Sequence, residues 1–368
     1  MGGVTQSDSA QPVRADLGFD AGRLCSWLES AVPGFRGPLQ VQQFTGGQSN
    51  PTYLLQASSG RYVLRRKPPG QLLASAHAVD REFRVLRALH GHGVPVAQAL
   101  AHCTDTSVTG TEFYVMEFIA GRVFWDPAFA DVPAAERRQY FDAMNRVLAD
   151  LHNVDYTQLG LADFGRAGQY VARQAARWTR QYTEDEAGGR VAEMDRLIEW
   201  LPHFKPRDDA TRLVHGDYRA DNLIFHPTEP RVLAVLDWEL ATLGDPLADF
   251  AYHLLMYRLP TLAFPGLLGQ DLAALQLPGE TEYVDAYCRR TGRAGIPDLD
   301  GYVAFCLFRL AAIFHGIRSR VVRGTAVSQK ARDYARHVEA LARLGWEYAQ
   351  RSAAAGTGQA ARGHRDSP

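Results

Sequence analysis

LVHGDYRADNLIF (213–225), followed by VLAVLDWE (232–239), is the stretch whose reading decides the fold. Val214 closes an apolar approach and Leu223-Ile224-Phe225 opens a strand, so HGDYRADN is a loop held between rigid elements. Loops mounted in this way tend to carry reactive groups, because the flanking scaffold fixes them. Asp217 and Asn222 stand at the two ends of the loop. The turn His226-Pro227-Thr228-Glu229-Pro230 then reverses the chain, and Asp237 at the end of the second strand is expected to return beside Asn222.

One amide and two carboxylates are therefore expected to converge on a small volume. Mg²⁺ is a hard ion, usually held by one or two carboxylates together with substrate phosphates, and Asn222 and Asp237 meet that requirement. Asp217 then remains to orient an attacking hydroxyl and take its proton. The division of labour matches the kinase pattern H-R-D-x-x-x-x-N followed by a metal-holding Asp, with Gly216 in place of the Arg and Trp238-Glu239 in place of Phe-Gly.

The loop resembles that of the aminoglycoside phosphotransferase and choline kinase superfamily, which reads H-G-D-x-x-x-x-N. More narrowly, HGDYRADNLIF with LDWELATLGDPLADFAYHL is similar to the kinase domain attached to acyl-CoA dehydrogenase family members 10 and 11 and to its stand-alone bacterial relatives. The similarity runs from about Phe44 to about Tyr348. It implies an α+β, bilobal protein-kinase-like fold, with a small, mainly antiparallel β N-lobe and a large, mainly helical C-lobe. It also implies ATP and Mg²⁺ as cofactors, and phosphoryl transfer to a small-molecule hydroxyl.

Strands are expected at LQVQQF (39–44), TYLLQA (52–57), RYVLRRK (61–67) and EFYVMEFI (112–119), and a helix over roughly 75–90. In FTGGQSNPTYLL (44–55), Gly46 and Gly47 permit close backbone approach to an anion. Ser49 and Asn50 are candidate donors to the β-phosphate. Strand alternation puts Val63, Arg65 and Lys67 on one face; Arg65 is the expected phosphate-binding cation and Lys67 the fallback. Glu82, three after Val79 and four before Leu86, lies on or beside an inward apolar stripe and is the expected partner of that cation. VMEFIAG (115–121) resembles a hinge, where backbone groups of Glu117 and Ile119 would meet an adenine edge. His215 is expected to brace the loop, Asp245-Pro246 to start a helix, and Asp249 to fix the catalytic loop as the family's second acidic position does. Arg219 is a candidate for the acceptor or the γ-phosphate, and Asp221 is a solvated neighbour or a contributor to the metal or substrate.

Composition bounds the remaining possibilities. The 368 residues carry a formal net charge of −1 with 46% apolar content, which gives no global field toward nucleic acid or an anionic membrane. Four cysteines (Cys25, Cys103, Cys288, Cys306) lack metal-like spacing and read as reduced thiols in a cytoplasmic protein. The N-terminus shows no apolar signal region, and GYVAFCLFRLAAIFHGI is interrupted by Arg309 and His315, so no membrane span is expected.

Residues 1–16 and 352–368 are small, polar and aperiodic and are expected to be disordered ends, with an N-lobe over 17–119 and a C-lobe over 120–351. The acceptor's identity is not encoded in any motif. Arginines along 301–323, with Arg309 expected in a buried ion pair, favour an anionic or neutral hydroxylated acceptor over a polycation, and the relatives suggest a hydroxy acid or hydroxyacyl-CoA. An aminoglycoside-type antibiotic phosphotransferase and a non-catalytic nucleotide-binding module are the alternatives. Protein partners and oligomeric state are not legible.

Overall fold

The structure is a computed structural model that describes residues 4–5, 10–44, 50–69, 78–206, 210–261, 265–326 and 328–363. Along the first half run β1 (Val4–Thr5), β2 (Ala10–Gln11), α1 (Ala21–Ala31), β3 (Leu39–Phe44), β4 (Thr52–Ala57), β5 (Gly60–Arg66), α2 (Val79–Leu89) and β6 (Ala99–Cys103). Then come α3 (Thr106–Thr109), β7 (Phe113–Glu117), β8 (Arg122–Val123), α4 (Ala134–Asn153), α5 (Tyr170–Glu184) and α6 (Ala192–Trp200). The second half holds β9 (Arg212–Val214), β10 (Leu223–Phe225), β11 (Val232–Val235), β12 (Thr242–Gly244), α7 (Pro246–Arg258), α8 (Glu280–Arg290), α9 (Leu299–Val322), α10 (Gln329–Ala335) and α11 (Val338–Gly363).

Two compact units result, one of residues 1–164 and 219–241, the other of 165–218 and 242–368. The first is built on an antiparallel sheet in the order β2-β3-β4-β5-β7-β6. Alternation sends Tyr53, Leu55, Leu64, Phe113 and Val115 to one face, where Leu24 and Leu28 of α1 close the core. Asp20 starts α1 by accepting from the backbone N–H groups of Gly22 and Arg23. The other face carries Arg65 and Tyr114, directly opposite each other in register, toward α2. Val79, Glu82, Val85, Leu86 and Leu89 are the buried stripe of α2, so the helical spacing expected there holds from Val79, while residues 70–77 lie outside the described region.

The expected strand segregation holds, with antiparallel sheet early and helices late, but the boundary differs. It was expected near Ile119-Gly121, whereas the first unit continues to Phe164 and takes back 219–241. The cause is the β10–β11 hairpin, whose Phe225 pairs with Arg122 of β8 and packs its ring against Phe124, Phe129 and Tyr140. Edge-to-face aromatic contacts of this sort add to plain burial.

Both presumed disordered ends also carry structure. Ala10 and Gln11 pair with Phe44 and Gln43, because the edge of β3 offers unpaired backbone groups. The last helix runs to Gly363 rather than stopping at 351, and Ser352 Oγ donates to Asp298 Oδ2 at 2.8 Å.

The second unit is mainly helical. β9 and β12 form its two-stranded antiparallel ribbon, and α5, α7, α10 and α11 pack on the central α9. By length and composition α9 would pass for a membrane span, yet 78% of its apolar window is buried inside the protein, as befits a core helix.

Candidate functional site

Within the first unit, a buried charge network joins β5, α2 and the end of the β10–β11 hairpin. Arg65, whose side chain is 12% exposed, places Nε 3.0 Å from Glu82 Oε2 as an ion pair and donates from Nη2 to Asp237 Oδ1 at 2.9 Å. Glu82 is 1% exposed and accepts two further hydrogen bonds, from Asn50 Nδ2 at 2.7 Å and from the Tyr114 hydroxyl at 3.0 Å. Taking a carboxylate out of water costs several kcal/mol, so its lone pairs must be met. Burial raises the Glu82 pKa, and Asp237 adds to the rise, against the lowering by Arg65, Tyr114 and Asn50. Burial alone would lower Arg65, but the Glu82 and Asp237 carboxylates outweigh it and hold the guanidinium well above its ordinary range.

The hairpin sets Asp237 and Asn222 side by side along the backbone. Leu223 pairs with Val235, and Leu236 N–H donates to the Asn222 carbonyl at 2.8 Å, so Asp237 follows immediately. Asp237 adopts left-handed backbone angles (φ 62°, ψ 63°), a region non-glycine residues enter rarely and mostly as Asp or Asn. Trp238 Nε1 donates to the Val235 carbonyl at 3.0 Å and fixes this corner.

Arg65 and Lys67 have different partners. Lys67 binds Glu112 Oε2 at 2.5 Å, and His102 Nε2 lies 2.8 Å from the other oxygen of Glu112, away from the Glu82 network. Asn50 is 1% exposed and its amide donates to Glu82, as a buried carboxylate requires of its neighbours. Gly46, Gly47 and Ser49 lie outside the described residues. Glu117 uses its N–H on the Gln98 carbonyl and its carboxylate on the Gln98 N–H, and Ile119 packs against Val123, Ile224 and Ala234. Arg219 is paired with Asp221 at 2.8 Å.

The second unit holds Asp217. Asp249, 3% exposed on the first turn of α7, accepts from the backbone N–H groups of His215 (2.7 Å) and Gly216 (2.8 Å). His215 is fully buried and its Nδ1 accepts from Asp217 N–H at 3.2 Å, the bracing role expected of it. Gly216 sits at φ 85°, where a side chain would strain the backbone. Two residues escaped the sequence. Tyr252 donates its hydroxyl to Asp217 Oδ1 at 2.8 Å, and Arg309, expected in an ion pair, instead donates to the Gly216 carbonyl at 2.6 Å. Tyr114 was missed as well, although strand alternation in FYVME places it on the Arg65 side of the sheet.

Asp245 caps α7 through Leu247 N–H (2.8 Å), with Pro246 in the first turn, and accepts from the Tyr302 hydroxyl at 2.9 Å. Burial pushes its carboxyl up to about 6, against the lowering by those donors. It borders a cavity of about 630 Å³ whose walls include Tyr170, Val171, Ala175, Leu201 and Phe204, with Lys205 among the lining residues.

For a magnesium ion, the donors offered are the hard oxygens of Asp237 and Asn222. Among the described residues no cluster of three or more His, Cys, Asp or Glu exists. The donor set thus fits an ion that takes most of its ligands from phosphates and water and does not fit a transition metal held by protein alone.

Residues 40–301 match the model of the phosphotransferase enzyme family. Acyl-CoA dehydrogenase family member 10 of Mus musculus is 44% identical over 345 residues, covering 93% of this chain and 32% of that protein. The chain spans less than half the length of such curated relatives. A crystal structure of a candidate aminoglycoside phosphotransferase from Ralstonia eutropha is 48% identical, with a TM-score of 0.84 over 91% of this chain and 99% of that one. At fold level only, choline kinase from Cryptosporidium parvum (12% identity, TM-score 0.60, 93% and 97% coverage) has the same kinase-like architecture. So has an aminoglycoside phosphotransferase solved with AMP-PNP and hygromycin B (19% identity, TM-score 0.52, 84% and 95% coverage).

Proposed function

From the premise that this chain belongs to the phosphotransferase enzyme family, we propose that it transfers the γ-phosphoryl group of ATP to a hydroxyl of a hydroxy acid or hydroxyacyl-CoA. The observation that carries this proposal is the Arg65 guanidinium set between the Glu82 and Asp237 carboxylates. In phosphoryl transfer the protein's contribution is mostly alignment and charge neutralisation, which a fixed cation next to a metal-binding carboxylate supplies.

Arg65 meets the phosphates while Glu82, held by Asn50 and Tyr114, keeps it in place. Asn222 and Asp237 would hold a magnesium ion, which would supply neutralisation of the phosphates' charge. Gly46, Gly47 and Ser49 cover the phosphates, and the backbone of Glu117 and Ile119 takes the adenine edge. Asp217 orients the acceptor hydroxyl and receives its proton as the acceptor oxygen bonds to γ-phosphorus and the bond to the ADP oxygen breaks.

Two observations support an acyl acceptor. The matched relative is named for acyl-CoA dehydrogenation, and the arginines along 301–323 suit an anionic acceptor better than a polycation. ADP release from MgATP, measured over a panel of aminoglycosides, hydroxy acids and hydroxyacyl-CoAs, tests the proposal. Turnover with the acyl compounds is expected. Turnover with aminoglycosides alone overturns the acceptor class, and MgATP binding without turnover on any acceptor overturns the enzymatic role.

A further inference from the structure

We propose that Tyr252 and Arg309 are positioning residues that together set the orientation of the Asp217 carboxylate. The inference rests on the phosphotransfer reading of Asp217 and adds two residues that no loop motif contains.

A single helix grips the loop twice. Asp249 of α7 takes the His215 and Gly216 N–H groups, and Tyr252, one turn later, takes the Asp217 side chain at 2.8 Å. The Gly216 peptide is also held from its other side, since Arg309 of α9 donates to its carbonyl at 2.6 Å. The same guanidinium lies over the Tyr252 ring, 5.0 Å from its centroid, so backbone clamp and carboxylate clamp touch each other. Arg309 is 5% exposed, and Asp217 is among the groups whose negative charge acts on it.

Stability alone does not explain this arginine. Its Nε is buried without a hydrogen-bond partner among the described residues, and an unmet buried donor is costly. An apolar side chain of similar size would fill the space at lower cost, whereas only a forked cation can reach the Gly216 carbonyl and face the Tyr252 ring at once. Tyr252 is buried to 6% exposure, with its ring packed and its hydroxyl directed at Asp217. Removing that hydroxyl leaves the packing and takes away a hydrogen bond that orients the carboxylate.

The test uses the full chain with MgATP alone as probe, water being the acceptor, and reads steady-state ADP release, MgATP affinity by calorimetry and thermal melting. Tyr252→Phe is expected to lower kcat about 10- to 100-fold, the loss typical of a misplaced reacting group, with MgATP affinity and melting temperature near wild type. In the Asp217→Asn background the same change is expected to cause no further loss, because its effect passes through Asp217. Arg309→Met is expected to lower kcat, with Arg309→Lys recovering part of it. Wild-type turnover in Tyr252→Phe, or an equal fold-loss with and without Asp217, overturns the proposal while Asp217→Asn remains inactive. Full turnover in Asp217→Asn overturns the underlying reading instead, and this proposal with it.

Discussion

Arg65 on β5 donates to Asp237 at 2.9 Å across 172 residues of sequence. Together with the 3.0 Å ion pair to Glu82, that contact ties a strand, a helix and a hairpin end into one charge network. Lys67, two residues along the same strand, is instead committed to Glu112. Arg65→Met should therefore weaken MgATP binding at least tenfold, the scale of about 1.4 kcal/mol per lost charged contact. Lys67→Met should leave it within about twofold, since partly exposed pairs contribute about 0–1 kcal/mol. Isothermal titration with MgATP compares the two.

Glu82 is expected to matter to folding as well as to nucleotide. Glu82→Ala leaves the buried guanidinium to Asp237 alone and strands the Asn50 and Tyr114 donors, and breaking a buried pair in this way costs about 3–5 kcal/mol. Urea denaturation should show a loss on that scale for Glu82→Ala and a smaller one for Glu82→Gln, which keeps an acceptor for one of the donors.

Asp249 holds two backbone N–H groups with its two carboxylate oxygens. Asn offers only one such oxygen, so Asp249→Asn should leave one buried N–H unmet, at about 1–3 kcal/mol of stability. Turnover should fall in the same variant because Asp217 rides on that loop, and parallel melting and ADP-release measurements check both effects.

Asp245 predicts a pH dependence with a definite sign. Its folded carboxyl titrates at about 6, against an ordinary value of 3.8, so between those values the folded state binds more proton than the unfolded one. Its contribution to stability then falls as pH rises from about 4 to about 6, and stays lower above that, by about 3 kcal/mol at most. Asp245→Asn keeps a cap for α7 and should remove the slope. Denaturation at a series of pH values from 4 to 7 checks it, and an unchanged slope in the variant contradicts it.

Much of this was legible because it is local. The loop 215–222, the hairpin that brings Asp237 back to Asn222, the β3–β5 alternation and the Glu82 stripe all follow from spacing within a few residues. What could not be read comes from elsewhere in the chain. Tyr252 lies 35 residues from Asp217, and Arg309 lies 93 from Gly216, on helices whose apolar pattern says only that they are buried. The bond from Asn50 to Glu82 was likewise out of reach of local spacing, because the carboxylate sits 32 residues on. At the ends, the pairing of Ala10 and Gln11 with β3 and the run of α11 past 351 were not legible, because neither segment has an apolar period.

The most direct measurement is acceptor-dependent ADP release from MgATP by wild type and Asp217→Asn, with MgATP affinity determined alongside. A loss of about a hundredfold or more in turnover, with nucleotide affinity retained, is the expected result for a residue that acts on the acceptor's proton. Undiminished turnover in Asp217→Asn contradicts the account.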